Sequence, residues 1–416
     1  MDLTLAGHPS GQMGPDLGRP VYRRQYMSPR IWLLALATFV TGMAENITVG
    51  ILPSLADGLA VPLGVAGQLT TVFSLSFALA APLSPLMTTR LPLRRLLCIC
   101  LALFALCNLA AALAPGYSAL LLARIGMAAT SALTCLTCTL MATRMVPEAL
   151  RGRAIGVIFM GICSSLVLGV PAGMLLCDVL GWRGVFTGLS LLALAVLLMA
   201  WRGLEQLQSS ERIALGSYLR HLGNGRLLAA QGVSLLMIAG HFSVFAYLAP
   251  YALQVADIPA QWLAALFAAF GIAGVSGGYV GGWMADRLGA SKSIALAPLL
   301  YLVSLLMLPL SVGTPWLFLP IMMLWGGLSW TTSPVVQNYL ASRGPDTFPA
   351  GMSLNMSAMH LGVGLGSAIG GVVIGTATLS ATPWAGAALT AMAAVLALCS
   401  ARPAVSTAFS ERELAS

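Results

Sequence analysis

The sequence predicts an all-α membrane protein with twelve transmembrane helices, arranged as two pseudo-symmetric six-helix bundles. Hydrophobic residues make up 58% of its 416 residues and charged residues only 8%, and the mean hydropathy is +0.89. A soluble globular chain carries about 25% charged residues, so that class is excluded. The apolar residues gather into stretches long enough to cross a bilayer, and the two halves of the chain resemble each other.

Hydropathy and turn residues delimit the predicted spans. They cover residues 31–55, 65–88, 96–114, 117–143, 154–180, 184–201, 227–254, 260–284, 293–311, 315–341, 349–377 and 383–401. With a cytoplasmic N-terminus, all 21 basic residues fall in the tails or the cytoplasmic connections, except Arg183 on the outer side and Arg124 within a span. The positive-inside rule therefore predicts a multi-pass protein of the cell membrane, of the bacterial inner-membrane type, with both termini cytoplasmic.

The connections divide the chain into five predicted segments. These are a cytoplasmic tail at 1–30, a six-helix bundle at 31–202, a solvated cytoplasmic linker at 203–226, a second six-helix bundle at 227–402 and a cytoplasmic tail at 403–416. The first tail is polar, and we interpret it as disordered rather than as a cleavable signal peptide. The linker contains a short amphipathic stretch, SERIALGSYLRHL, that can form a helix.

An internal repeat links the two bundles. The stretch PLMTTRLPLRR at 85–95 aligns with GWMADRLGASK at 282–292, with an offset of 197 residues. Two fused copies of a six-helix unit are typical of transporters built from internal repeats.

One acidic side chain lies in the middle of the first span. Glu45 is 14 residues from one end of this span and 10 from the other. An ionised carboxylate there costs about 2.5–3.5 kcal/mol unless it meets water, a cation or a proton. Thr41 and Thr48 share its helix face, at i−4 and i+3. Because a low dielectric favours the neutral acid, Glu45 is a candidate for taking up and releasing protons; the alternative is a buried structural side chain.

Other classes of protein find little support. The net charge of +8 would suit a nucleic-acid partner, but the basic residues lie between apolar spans rather than on a soluble face. The eight cysteines lie mostly in apolar runs, and we interpret the CxxC pair Cys135 and Cys138 as packing residues. The sequence has no HExxH motif and only four histidines. We therefore expect no enzyme activity, no cofactor and no metal site.

The segment from Gly282 to Lys292 carries the first resemblance to a known family. It resembles the signature loop Gly-x-x-x-Asp-Arg-x-Gly-x-x-Lys/Arg of the major facilitator superfamily, and it follows the eighth span. Asp286 and Arg287 would form a charge-assisted latch between spans at the cytoplasmic side, and Gly289 would permit the tight turn. The first-half copy departs from this pattern, because Thr88 and Thr89 stand at the position of the Asp while Arg90 remains. Its latch is expected to be weaker.

Further motifs narrow the resemblance to the twelve-span drug:proton antiporters, especially the arabinose-efflux-permease-like exporters. The stretches ENITVGILPSLA at 45–56 and LLARIGMAATSA at 121–132 are similar to motifs of the first and fourth spans, the latter with Arg124 as its intramembrane arginine. The fifth span carries residues similar to the antiporter motif, namely Gly161, Gly169, Pro171 and Gly173. Independently of the resemblance, the glycine spacing of eight and four allows a neighbouring helix to approach closely.

The resemblance implies an exporter driven by inward proton movement, with a cavity lined by the first and fourth spans. Glu45 would carry the exchanged proton and Arg124, at similar depth, would tune its proton affinity; a structural role for Arg124 is the alternative. The expected partners are protons, a small-molecule substrate and the lipid bilayer, with no nucleic acid, and the chain is expected to be a monomer. A proton-coupled symporter or facilitator for uptake stays open as the alternative function.

Polar residues of the other spans are the candidates for binding substrate. His241 lies 14 residues into the seventh span, the position that corresponds to Glu45 in the repeat, although a packing role is equally open. His360 occupies a place where related exporters often have Asn, so it is expected to influence selectivity. The remaining candidates are Thr41, Thr48, Tyr247, Tyr251, Gln337 and Asn355. A drug, a sugar, a purine and an amino-acid derivative all remain compatible with this set.

Overall fold

A computed structural model describes residues 28–88, 91–147, 150–208 and 215–401 of the chain. Arg90 of the first-half latch lies outside these ranges, as do most of the two tails and the middle of the linker. Within the described ranges the chain is built from helices and short connections, without a strand. The predicted fold class is confirmed.

The helices coincide with the predicted spans. They are α1 (Pro29–Gly50), α2 (Leu52–Leu59), α3 (Leu63–Thr88), α4 (Leu93–Ala112), α5 (Tyr117–Arg144), α6 (Arg151–Ser164), α7 (Val170–Gly203), α8 (Leu215–Leu222), α9 (Gly225–Phe245), α10 (Leu248–Gln254), α11 (Leu263–Leu288), α12 (Ala290–Leu310), α13 (Pro315–Arg343), α14 (Phe348–Thr376) and α15 (Thr382–Ala401). A π-helical turn, Ser165–Gly169, joins α6 to α7. The first and seventh spans are each broken near their C-terminal ends, into α1 and α2 and into α9 and α10.

Ten stretches of the described chain are long and apolar enough to cross a membrane. One of them, Arg153–Gly203, has 51 residues and contains the fifth and sixth predicted spans. Its direction reverses at Gly181, whose φ of 69° lies in the left-handed region that glycine adopts without strain. Beyond this point Ser190 donates a hydrogen bond to the Ala105 carbonyl of α4 at 2.8 Å. The ten stretches thus hold eleven of the twelve predicted spans. The twelfth is α13, which packs against α11 and α12.

Two bundles result, one from α1–α7 and one from α9–α15. They meet along α3 and α14 in a contact that we call the seam, formed by residues 64–75 and 364–371. A Cβ atom added to Gly64 would lie 2.7 Å from the Gly371 carbonyl oxygen, and one added to Gly364 would lie 2.9 Å from Leu75. The seam therefore brings backbone against backbone at Gly64 and backbone against a leucine side chain at Gly364. It lies toward the ends of these helices that are opposite the arginine-rich connections.

The glycines of the fifth span face α1. A Cβ atom at Gly161 would lie 2.2 Å from the Ala35 carbonyl oxygen, and one at Gly173 would lie 2.1 Å from Ile47 Cδ1. The close approach expected from the glycine spacing is thus present. Pro171 lacks the N–H that an α-helix would use at this position, and the π-helical turn ends two residues before it.

One side chain of the linker helix α8 is packed into the protein. His221 is fully buried, with Nδ1 3.1 Å from Thr347 Oγ1 and Nε2 3.1 Å from Gln231 Nε2. Gln231 also donates to the Gly351 carbonyl at 2.9 Å. Since the Gln231 amide is a donor, His221 must accept at Nε2 and donate at Nδ1, which requires the neutral ring. The expectation of a fully solvated linker is therefore wrong at His221, because its ring completes a buried hydrogen-bond network.

The approach of α6 to α1 yields a matched pair of substitutions. Gly161→Ala places a methyl group against the Ala35 carbonyl, whereas Gly156→Ala on the same helix meets nothing within 4 Å. We expect Gly161→Ala to destabilise the protein by about 1–3 kcal/mol, the usual cost of overpacking, and to lower its melting temperature in detergent. Gly156→Ala should be neutral or slightly stabilising. Equal melting temperatures for the two variants would contradict the close approach.

Docking of α8 is expected to depend on pH. Burial lowers the pKa of His221 from its ordinary 6.5, so the docked form binds fewer protons than the released form. Docking is then at full strength above about pH 6.5 and weakens as the pH falls below it. Hydrogen exchange of residues 215–222, corrected for intrinsic rates, should be faster near about pH 5.5 than near about pH 7.5. His221→Gln should abolish this difference; if the variant retains it, another group is responsible.

Candidate functional site

A cavity of about 290 Å³ lies between the two bundles. The first bundle contributes residues of α1, α3, α5, α6 and the π-helical turn, and the second contributes residues of α9, α11, α13 and α14. Most of the wall is apolar, with the aromatic side chains Phe77, Phe159, Phe242, Phe245 and Trp330. A small set of polar groups interrupts it, which is the usual composition of a site for a small molecule.

Glu45 lines this cavity and contacts a residue of the opposite bundle. Its Oε1 atom lies 3.5 Å from Nε2 of His360 on α14, and the side chains are 19% and 12% exposed, respectively. The His360 ring stacks on Phe77 of α3, with ring centroids 3.7 Å apart and planes 4° from parallel. The other ring nitrogen, Nδ1, lies 2.9 Å from the Met356 carbonyl oxygen. Because a carbonyl only accepts, Nδ1 carries a hydrogen and Nε2 is the atom that faces the carboxyl group.

Arg124 lies directly beneath this part of α1, where it holds the backbone. It is fully buried and donates from Nη1 to the Ala44 carbonyl and from Nε to the Leu69 carbonyl, the latter at 3.4 Å. Its guanidinium lies 4.2 Å from the centroid of the Phe73 ring, a cation–π distance. Arg124 thus joins α5 to α1 and α3 next to Glu45. Its hydrogen bonds within the described chain go to backbone carbonyls, in line with the structural alternative.

His241 also lines the cavity, in an aromatic cluster on the opposite wall. Its Nδ1 lies 3.2 Å from the Tyr301 hydroxyl, which in turn accepts a hydrogen bond from Trp325 Nε1 at 2.8 Å. The buried Tyr301 hydroxyl needs an acceptor for its own proton, and His241 Nδ1 supplies one. His241 then carries its hydrogen on Nε2.

The other predicted substrate residues divide between the cavity and the packing around it. Thr41 lines the cavity, and its hydroxyl donates to the Ala37 and Thr38 carbonyls. Thr48 is fully buried outside the cavity wall. Gln337 donates to Ser333 at 2.7 Å, and it is Ser333 rather than Gln337 that lines the cavity.

The two tyrosines and Asn355 belong to the packing of the second bundle. Tyr247 donates to the Ser367 carbonyl at 2.9 Å and lies against Gly67 and Gly371 at the seam. Tyr251 is buried and stacks on Phe318, with centroids 6.3 Å apart. Asn355 donates to Gln231 and to Ser234, at 2.9 Å in both cases, and thereby extends the network around His221.

The predicted latch loop forms the turn between α11 and α12. Gly289 has φ 78° and ends α11, and Ser293 donates from its side chain to the Met284 carbonyl at 2.7 Å. Arg343 of α13 donates to Ser291 at 2.8 Å, which ties the loop to a third helix. Asp286 is exposed and makes no ion pair within the described ranges. Gly282 and Arg287 lie in α11, and Lys292 lies in the first turn of α12. A latch role for this set stays a prediction.

Sequence reasoning missed several residues of the cavity wall. Asn46 lines the cavity and donates to the Gly42 carbonyl at 3.0 Å and to Ser165 at 3.4 Å. Asn46 could have been identified from the sequence, because it is a second polar residue directly beside Glu45 in an apolar span. The others are Ser131, Cys135, Cys163, Ser329, Ser333 and Met356, which resemble ordinary helix-packing residues in the sequence.

Two helical bundles around a central cavity, with a carboxylate–histidine contact between them, define a membrane carrier. A sequence model of the Major Facilitator Superfamily matches residues 34–348. The chain therefore belongs to this superfamily, whose members are transporters and not enzymes, and the predicted family is confirmed.

Relatives and solved structures agree with this assignment. The chain is 31% identical over 368 residues to the uncharacterized MFS-type transporter YbcL of Bacillus subtilis, covering 88% of this chain and 94% of that protein. It is 26% identical over 374 residues to a probable sugar efflux transporter of Mannheimia succiniciproducens, covering 88% and 92%. Its fold matches a bacterial homologue of the human lysosomal transporter Spinster in an inward-facing, unoccupied conformation, with a TM-score of 0.77, 14% identity and coverage of 91% and 98%. The xylose transporter XylE from E. coli, partially occluded and inward open, gives a TM-score of 0.68 at 14% identity, with coverage of 88% and 95%.

Proposed function

We propose that this protein exports a small molecule across the cell membrane in exchange for protons, by alternating access to the cavity between the bundles. The observation that carries the proposal is the position of Glu45. Among the described residues that line this cavity it is the only carboxylate, and it contacts a histidine of the opposite bundle. A carboxylate in the membrane interior marks an ion or proton path by default.

Export is supported by the relatives and by the motif of the fifth span. Several relatives are named probable sugar efflux transporters, among them proteins of Mannheimia succiniciproducens and Helicobacter pylori. Gly161, Gly169, Pro171 and Gly173, which resemble the antiporter motif, bring α6 and α7 against the helix that carries Glu45. The seam is closed on the side away from the arginine-rich connections. If these connections are cytoplasmic, the cavity is closed to the outside in this state.

The cavity wall suits a small, hydroxylated cargo such as a sugar. Its volume of about 290 Å³ is near the lower end of the range for ligand pockets, about 300–1,000 Å³. Phe242 and Trp330 offer apolar faces, whereas the Asn46 carbonyl and the His241 Nε2–H offer one acceptor and one donor. Hydroxyl groups satisfy both kinds of partner.

The cycle that we propose follows from the charge of Glu45. With the cavity open to the cytoplasm, Glu45 loses its proton to water and cargo binds. With the cavity open to the outside, Glu45 takes up a proton and cargo leaves. The protonated form carries no charge in the membrane interior, and in the cargo-bound form the hydroxyl groups of the cargo donate charge-assisted hydrogen bonds to the carboxylate, which is the physical reason for coupling the two movements.

Uptake by a proton-coupled symporter or a facilitator is the second candidate, because it uses the same fold and the same cavity. The direction of coupling separates the two functions. In everted vesicles that are acidified inside, an exporter of this kind releases lumenal protons when cargo is added, and the fluorescence of a trapped pH-sensitive dye reports this release. A symporter moves protons and cargo in the same direction, and a facilitator leaves the dye unchanged.

Removing the titratable carboxyl tests the proposal. Glu45→Gln keeps the shape and hydrogen-bonding capacity of the side chain but cannot exchange a proton, so proton-driven export should fall to the level of vesicles without the protein. Asp57→Asn, at the exposed end of α2, is the matched control and should export normally. Cargo is identified first with a panel of sugars and growth inhibitors in a host that lacks its own pumps. Proton-driven export by Glu45→Gln at the wild-type rate would contradict the proposal.

A further inference from the structure

The contact between Glu45 and His360 joins the two bundles at the inner end of the seam. Glu45 and Phe77 belong to the first bundle, whereas His360 belongs to the second. Farther along α3 and α14, Gly364 packs against Thr71 and Leu75, and Gly371 packs against Gly64. The seam must open if the cavity is to reach the other side of the membrane. That movement separates His360 from both of its partners in the first bundle.

The hydrogen bonds of His360 determine how many protons this contact holds. Its Nδ1–H is committed to the Met356 carbonyl, so only Nε2 and the Glu45 carboxyl can exchange a proton with each other. One proton between them makes the contact attractive, either as a carboxylic acid that donates to Nε2 or as a carboxylate beside an imidazolium. Without this proton, a carboxylate faces the lone pair of a neutral ring, and the attraction is lost.

We propose that Glu45 and His360 together form one proton-binding site divided between the two bundles, and that its proton holds the seam closed. This inference rests on the proposed proton-coupled function and deepens it, because it makes His360 a positioning residue for the proton rather than a cargo ligand. The proton enters when the seam is open to the outside, and its binding favours closure. Its release to water in the cavity weakens the seam, so that the cargo-loaded protein can reopen outward.

Few other charged or titratable groups lie near Glu45 and His360, so we expect this pair to determine the response to pH. Arg124 on α5 reaches the backbone next to Glu45, and Cys135 and Cys163 line the same cavity from α5 and α6. His241 on α9 lines the opposite wall, where Nδ1 is engaged by Tyr301. By sequence, α3 and α15 carry no charged residue, and α13 carries only Arg343 at its last position. His241 is therefore the one other cavity histidine that a test has to control for.

The test measures seam opening directly. Spin labels at Val65→Cys and Val372→Cys report the distance across the seam, since these side chains are 38% and 61% exposed on α3 and α14. The eight native cysteines are replaced by alanine, and the full chain is reconstituted in nanodiscs. Between about pH 5.5 and 8.5 we expect the population with the longer distance to grow with pH, by up to about tenfold per pH unit for a single proton.

Two variants separate the site from its neighbours. His360→Gln should lose the pH dependence of the distance, whereas His241→Gln should keep it. If His360→Gln does not fold, Phe77→Leu removes the ring on which the imidazole stacks and should shift the midpoint of the pH response. A distance that does not vary with pH in the labelled parent, a pH response retained in His360→Gln, or an unchanged midpoint in Phe77→Leu would overturn the inference.

Vesicle transport shows which proposal fails. If the labelled parent exports cargo in exchange for protons while its seam does not respond to pH, the two-bundle proton site is wrong and the proposed function stands. If the parent moves cargo without moving protons, the proposed function itself is wrong.

Discussion

A carboxyl group in the middle of a membrane cannot face lipid as an anion, and the structure around Glu45 meets this constraint in three ways. A cavity between the bundles gives the side chain access to water. His360 offers a nitrogen with which it can share a proton. Arg124 fixes the backbone immediately before it, through the Ala44 carbonyl. Each feature comes from a different helix, so the position of one side chain depends on the assembly of both bundles.

Small residues make that assembly possible. Lipid tails are as apolar as leucine, so helices in a membrane gain little from hydrophobic burial against each other and depend on close packing. Gly161 and Gly173 let the fifth span contact α1, while Gly64 and Gly371 let the backbones of α3 and α14 touch. The first pair packs within one bundle, whereas the second lies between bundles. Tyr247 and Leu75 also pack against glycines of the seam, so both backbone and side-chain contacts must separate when this surface opens.

Much of the architecture could be predicted because its signals are local. The spans follow from hydropathy, the glycine face from its spacing, and the place of Glu45 from the cost of a charge in an apolar helix. The partner of Glu45 could not be predicted, because His360 lies on the eleventh span and nothing local links the two. Similar depth suggested Arg124, whose hydrogen bonds instead go to the backbone. The repeat pointed to His241, which does line the cavity but is bonded to Tyr301. His221 was placed in solvent because its segment is polar, yet its ring completes a buried network.

The central claim is that Glu45 exchanges a proton while the protein stays folded in the membrane. Infrared difference spectroscopy of the reconstituted protein, with the pH stepped upward, observes this proton directly. We expect the C=O band of a protonated carboxylic acid to disappear as the pH rises, its loss to be accelerated by cargo, and the band to be absent in Glu45→Gln. A spectrum in which no carboxylic acid band depends on both pH and Glu45 would show that Glu45 does not exchange this proton.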